Sequence, residues 1–137
     1  MSVSPNEASA ASPRLRSNDG ELVSVHVSID PRLLEQLLET LANLSFPINP
    51  QIYHQAGVGY VHADGREDLE PATRVEFPAF SSHLDQVRAA LESAGLPTSG
   101  FQIRGMVEDL QSDYDTVAAP DGAEYVKIRY YRRLPRV

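Results

Sequence analysis

Apolar and polar residues alternate through Leu22-Val-Ser-Val-His-Val-Ser-Ile29, where Ser24, His26 and Ser28 separate Val23, Val25, Val27 and Ile29. A period of two puts the aliphatic side chains on one side of an extended chain, which predicts a strand with one buried face. The period changes at Asp30-Pro31. Asp30 supplies a capping oxygen, and Pro31 occupies a first helical position where a missing N–H costs nothing. Beyond it, Leu33, Leu34, Leu37, Leu38, Leu41 and Leu44 form one helical stripe opposite Arg32, Glu35, Gln36 and Glu39. Pro47 and Pro50 end this helix near Ser45.

Gln51 to Gln55 has strand composition, and the glycines of Ala56-Gly-Val-Gly-Tyr-Val-His62 suggest a bulge or an extended hairpin arm. Ala63 to Pro71 reads as a charged turn or loop. Thr73-Arg-Val-Glu-Phe77 alternates again, with Val75 and Phe77 inward, and Pro78 is expected to finish that strand. Ser81 or Ser82 is placed to cap a second helix carrying Leu84, Val87 and Leu91 on one stripe and closed by Gly95. Phe101–Val107 and Tyr125–Tyr131 complete the expected strands. Between them lies a long acidic connector, 108–124, expected to be a functional loop or partly disordered.

Composition narrows the chemistry. The 137 residues suit a single domain, and without cysteine the chain holds no disulfide, thiolate nucleophile or thiolate-ligated metal. Residues 1–20, rich in Ser, Ala, Asn and Pro, are expected to be a disordered leader, with one domain over 21–131 and a basic tail at 132–137. The net charge of −7 is unevenly spread: residues 61–124 carry −9, whereas 125–137 carry +5. So acidic a body repels phosphate, and nucleic acid is not expected as a partner. No basic region precedes an apolar run at the N-terminus and no stretch is long enough to span a bilayer, so a cytoplasmic protein without a membrane partner is expected.

The β-α-β-β-α-β order with an extra strand, and one apolar stripe on each helix, points to a ferredoxin-like two-layer α+β sandwich with an additional C-terminal strand. Within 22–107, the run Asp30-Pro-Arg-Leu-Leu-Glu-Gln-Leu-Leu-Glu-Thr-Leu-Ala42, then Thr73–Phe77 and Leu84–Leu96, resembles the ACT-type small-molecule-sensing domains. That resemblance implies a non-catalytic regulatory or ligand-binding module and transfers residue by residue only to Asp30, Pro31 and Arg32. The glycine that usually follows the proline in amino-acid sensors is replaced by Arg32. Two other classes stay open: a cofactor-independent enzyme of the dimeric ferredoxin-like barrel kind, and a protein-interaction domain.

The Asp30-Pro31-Arg32 corner opens a helix N-terminus, where free N–H groups and Arg32 could hold an anion. The second candidate is the sheet face opposite the helices, read as open, where His26 and Arg104 share the surface with Arg74, Glu76, Gln102 and Met106. Its residues are not the aromatic platform that stacks nucleic-acid bases. His26, His54, His62 and His83 lack metal-ligand spacing, and Asp109, Asp113, Asp115 and Asp121 lack the calcium-loop template, so they read as solvated acids. No phosphate loop or other cofactor motif occurs, and neither a metal nor a cofactor is expected. Unpaired sheet edges lead to the expectation of a homo-oligomer, with Tyr125–Tyr131 as the edge or exchanged strand.

Overall fold

A computed structural model describes residues 16–17, 20–109 and 113–135. Most of the expected leader, 1–20, therefore lies outside the described residues. Two residues, Arg16–Ser17 (β1), pair with the start of a ten-residue strand, Gly20–Ile29 (β2). A 3₁₀ turn at Pro31–Leu33 leads into the helix Leu34–Ala42 (α1). Two long strands follow, Gln51–Val61 (β3) and Glu67–Phe80 (β4), and then the helix Leu84–Ser93 (α2). The remainder is Phe101–Gly105 (β5), a helical turn at Met106–Asp109 (α3), Tyr114–Ala118 (β6) and Lys127–Tyr131 (β7).

The helices fit their stripes. Leu37 and Leu41 of α1 and Val87 and Leu91 of α2 pack with Val25, Val27, Ile29, Val75 and Phe77 in the main core, so the valine face of β2 lies under both helices. Gly95 ends α2 at φ +77°, a conformation that costs glycine little. The Leu96 N–H then bonds back to Leu91 O (3.0 Å) and that of Gly95 to Glu92 O (3.0 Å), the paired bonds of a Schellman ending. Asp30 caps the first turn by accepting from the Arg32 N–H (2.9 Å). The expected serine cap of the second helix does not form: Ser81 Oγ instead accepts from the Glu21 N–H (3.0 Å) on β2.

The sheet is where the expectation fails. Its strands run antiparallel in the order β5–β2–β4–β3–β7–β6, and the sheet curls until it is nearly a barrel. With two helices of only nine and ten residues, the architecture is mostly β, not a ferredoxin-like two-layer sandwich. Three local readings account for the difference. The charged segment expected to be a loop is largely strand, because Glu67–Ala72 pairs with Val61–Ala56 across a tight turn at 62–66. Pro78 does not stop β4. Beyond Glu76 the β3 side of β4 is unpaired, so a residue without N–H sits there as on an edge. Finally, the acidic connector supplies β6, which pairs with β7, so β7 lies between β3 and β6 and is not the edge expected of Tyr125–Tyr131.

Curling encloses the face opposite the helices. At one end of this concave surface, Val58, Ala72, Ile128 and Tyr130 form a second apolar cluster, flanked by Tyr60, Val117 and Tyr125. Burial, with Tyr60 and Tyr125 alongside, pushes the Tyr130 hydroxyl up to about 12, so it stays protonated and donates to Ser99 O (3.0 Å). Glycine lets other chain segments cross the outside of β3: a Cβ on Gly57 would strike Leu134, and one on Gly59 would strike Glu67. Among the described residues no helix is long and apolar enough to cross a membrane.

Candidate functional site

The other end of the concave surface is charged. Ser24, His26, Arg74, Glu76 and Asp115 are all buried there, brought together by three strands. Period-two alternation turns Ser24 and His26 of β2 and Arg74 and Glu76 of β4 toward the same side, and the antiparallel register sets His26 opposite Glu76. Arg104 arrives from β5, where it lies opposite Ser24. Asp115 comes from β6, across the gap that curling has narrowed.

His26 is held at both ring nitrogens. Its Nε2 lies 2.9 Å from Ser24 Oγ and its Nδ1 2.7 Å from Asp115 Oδ2. Arg74 Nη2 also donates to Asp115 Oδ2 (2.8 Å) and sits 2.7 Å from His26 Nδ1. The rest of the Arg74 guanidinium is bound as well, Nε to Glu76 Oε2 (2.6 Å) and Nη1 to Tyr130 O (2.6 Å). Arg104 Nη1 binds the second oxygen of Asp115 and so ties β5 to β6. Arg132, expected in a basic tail, donates from Nε to Glu76 Oε2 (2.8 Å).

Burial works to raise the Asp115 carboxyl, but the His26 hydrogen bond, the charge of Arg74 and the Arg104 bond outweigh it and hold the group at about 2. Glu76 follows the same pattern: burial opposes ionisation, and Arg132, Arg74 and His26 hold its pKa below the usual carboxylate range. Both acids are therefore anions at neutral pH.

Two openings meet this network. A groove of about 420 Å³ is walled by Ser24, Asn49, Gln51, Glu76, Pro78 and Met106, with Pro50 and Phe77 completing it. A second, of about 450 Å³, follows the β5–β6 gap past Gln102, Arg104, Tyr114 and Asp115. Among the described residues no group of three or more His, Asp or Glu is placed to hold a metal ion.

A scan of protein-family models and searches of curated proteins and of solved structures found no match to this chain. The resemblance to ACT-type domains therefore rests on the residues quoted for it alone.

Of the residues singled out by sequence, His26 and Arg104 do share a site, with Arg74 and Glu76 beside them, although the face is enclosed rather than open. Asp30, Pro31 and Arg32 stand apart from it. The Arg32 guanidinium folds back on its own cap, Nε to Asp30 Oδ1 (3.1 Å) and Nη2 to Asp30 Oδ2 (2.9 Å), so the group proposed to hold an anion already holds one. Asp115, a solvated acid by sequence, is the residue on which His26, Arg74 and Arg104 converge. The signal for it is slight: Thr116-Val117 in an otherwise acidic stretch, two β-branched residues that favour a strand.

Proposed function

We propose that this chain is a small-molecule-binding, regulatory module whose ligand occupies the groove beside Ser24 and Glu76. One observation carries the reading: a charged network is buried where the opposite end of the same surface is filled with apolar side chains. Apolar residues of equal volume would serve stability as well or better. Buried ionised groups opening onto a pre-formed groove are the ordinary composition of a binding site. The lining mixes the polar Ser24, Asn49, Gln51 and Glu76 with the apolar Phe77, Pro78 and Met106, which suits a small molecule with both kinds of surface. Pairing of chains in this reading does not use β7, which is covered on both sides.

A thermal-shift screen of amino acids, nucleotides and divalent metals tests it. A binder at 100 times its dissociation constant adds about 2.7 kcal/mol to stability. Met106→Trp, which narrows the groove, abolishes that gain; a gain that survives the substitution places the ligand elsewhere.

A further inference from the structure

We infer that Ser24, His26 and Asp115 form a nucleophile relay able to transfer the acyl group of a small neutral ester bound in the Ser24 groove, an inference that rests on reading this groove as a small-molecule site. The contacts suit the tautomer with its proton on Nδ1, in which Arg74 Nη2, 2.7 Å from that nitrogen, donates to Asp115 Oδ2. Ser24 Oγ is 2.9 Å from His26 Nε2, and the opposite ring nitrogen is 2.7 Å from Asp115 Oδ2. In this arrangement the imidazole takes the hydroxyl proton while the carboxylate fixes its tautomer and stabilises the imidazolium. Ser24 and His26 lie two residues apart on one face of β2, so the strand itself sets their separation. Asp115 accepts only, and Arg74 and Arg104 hold its two oxygens in place. Of the three, Ser24 is the one that lines the groove.

The step balances without any further reagent. As Ser24 Oγ bonds to the ester carbonyl carbon, its proton passes to His26 Nε2 and the carbonyl π pair moves onto oxygen. Collapse of that intermediate breaks the bond to the leaving oxygen, which takes the proton from His26 as it departs as an alcohol. Water then repeats the sequence on acyl-Ser24, so that ester and water become acid and alcohol. Asn49 and Gln51 line the same groove, and Glu76 among its lining residues disfavours an anionic acyl group.

The test uses the full chain, p-nitrophenyl acetate as substrate and p-nitroacetanilide, its less reactive amide counterpart, as a binding probe. The expected result is a burst of p-nitrophenolate approaching one equivalent, with a single acetyl group on the peptide containing Ser24. Ser24→Ala loses both. Asp115 is a positioning residue: Asp115→Asn slows the burst on the order of tenfold or more and changes the ¹⁵N shifts of the His26 ring that report its tautomer. Folded wild-type protein that gives no Ser24 acetylation, or that is acetylated on tyrosine or lysine with hydrolysis unchanged in Ser24→Ala, overturns the inference. The amide probe separates this from the binding reading. Perturbed Met106 and Gln51 resonances without acetylation of Ser24 remove the acyl transfer and leave the binding site, whereas unperturbed resonances without acetylation remove both.

Discussion

Two arginine–aspartate pairs in this protein are chemically alike and physically opposite. Asp30 and Arg32 are neighbours in sequence and meet at the surface, where the Arg32 side chain is 88% exposed. Arg74 and Asp115 are 41 residues apart and meet inside the curled sheet, where their side chains are 1% and 4% exposed. Both aspartates are held at about 2, for different reasons. Asp30 is lowered by hydrogen bonds from the Arg32 side chain and backbone, with almost no burial to overcome. In Asp115 burial is the largest influence and raises the pKa, and it takes His26, Arg74 and Arg104 together to reverse it. A similar pKa thus hides a difference in consequence. Water screens the first pair and competes for it, whereas the loss of either partner in the second leaves a buried charge without its counter-ion.

The largest effect expected follows from that loss. Arg74→Met leaves Asp115 and Glu76 buried without their shared guanidinium, and urea denaturation should show a loss of about 3 to 5 kcal/mol. The double variant Arg74→Met/Asp115→Leu removes one of the two charges as well and should recover part of that loss. A double variant no more stable than the single one would mean that the network is held by packing rather than by charge.

The second effect is on pH dependence. Because the folded pKa of Asp115 lies below that of an ordinary aspartate, its ionised form stabilises the fold, fully so above the unfolded pKa and progressively less as pH falls toward about 2. A shift of that size corresponds to about 2 kcal/mol. Stability curves recorded between pH 5 and 2 should lose this dependence in Asp115→Asn, and high salt should leave the part due to Asp115 while screening away the part due to the exposed Asp30. If high salt removes both parts equally, the contrast between the pairs is wrong.

The closure of the sheet gives a smaller and more local effect. Arg104 is the tie between β5 and β6, and it is partly exposed. Arg104→Gln should therefore cost only about 1 kcal/mol in global stability, while hydrogen exchange accelerates in Tyr114–Ala118 and Phe101–Gly105 ahead of the β2–β4 core. Uniform acceleration across all strands would show that the gap is closed by the sheet's own curvature and not by this ion pair.

These contrasts also show what the sequence could disclose. Alternation in Leu22–Ile29 and Thr73–Phe77 was enough to separate Val25, Val27, Val75 and Phe77 from His26, Arg74 and Glu76, since the two faces of a strand are written in consecutive residues. The capping of Arg32 by Asp30 was equally legible because it spans two positions. Curvature was not. It depends on the length of β3 and β4, whose paired arms Ala56–Val61 and Glu67–Ala72 carry charges and glycines in place of a clean apolar period. It depends too on β6, hidden in an acidic stretch. With the curl unforeseen, a polar face read as open, and Asp115 and Arg132 could not be assigned to it.

The smallest expected effect is at Arg32. Its guanidinium is engaged only with Asp30 among the described contacts, and both groups face water, so Arg32→Ala should leave the melting temperature where it is. The same substitution should leave the affinity of any ligand found in the thermal-shift screen unchanged, because the Ser24 groove is lined by none of Asp30, Pro31 and Arg32. Calorimetric titration of the variant decides it. A loss of about tenfold, or 1.4 kcal/mol of binding energy, would move the ligand to the other end of the barrel. There a cavity of about 240 Å³ borders Asp30, Ser28, Tyr60, Glu70 and Tyr130. Among the described residues Ser28 Oγ has no hydrogen-bond partner, and it is buried in that region where a ligand seated beside Asp30 would satisfy it. Affinity that falls in Arg32→Ala and falls also in Ser28→Ala would identify that cavity as the site and reduce the buried Arg74–Asp115 pair to a structural role.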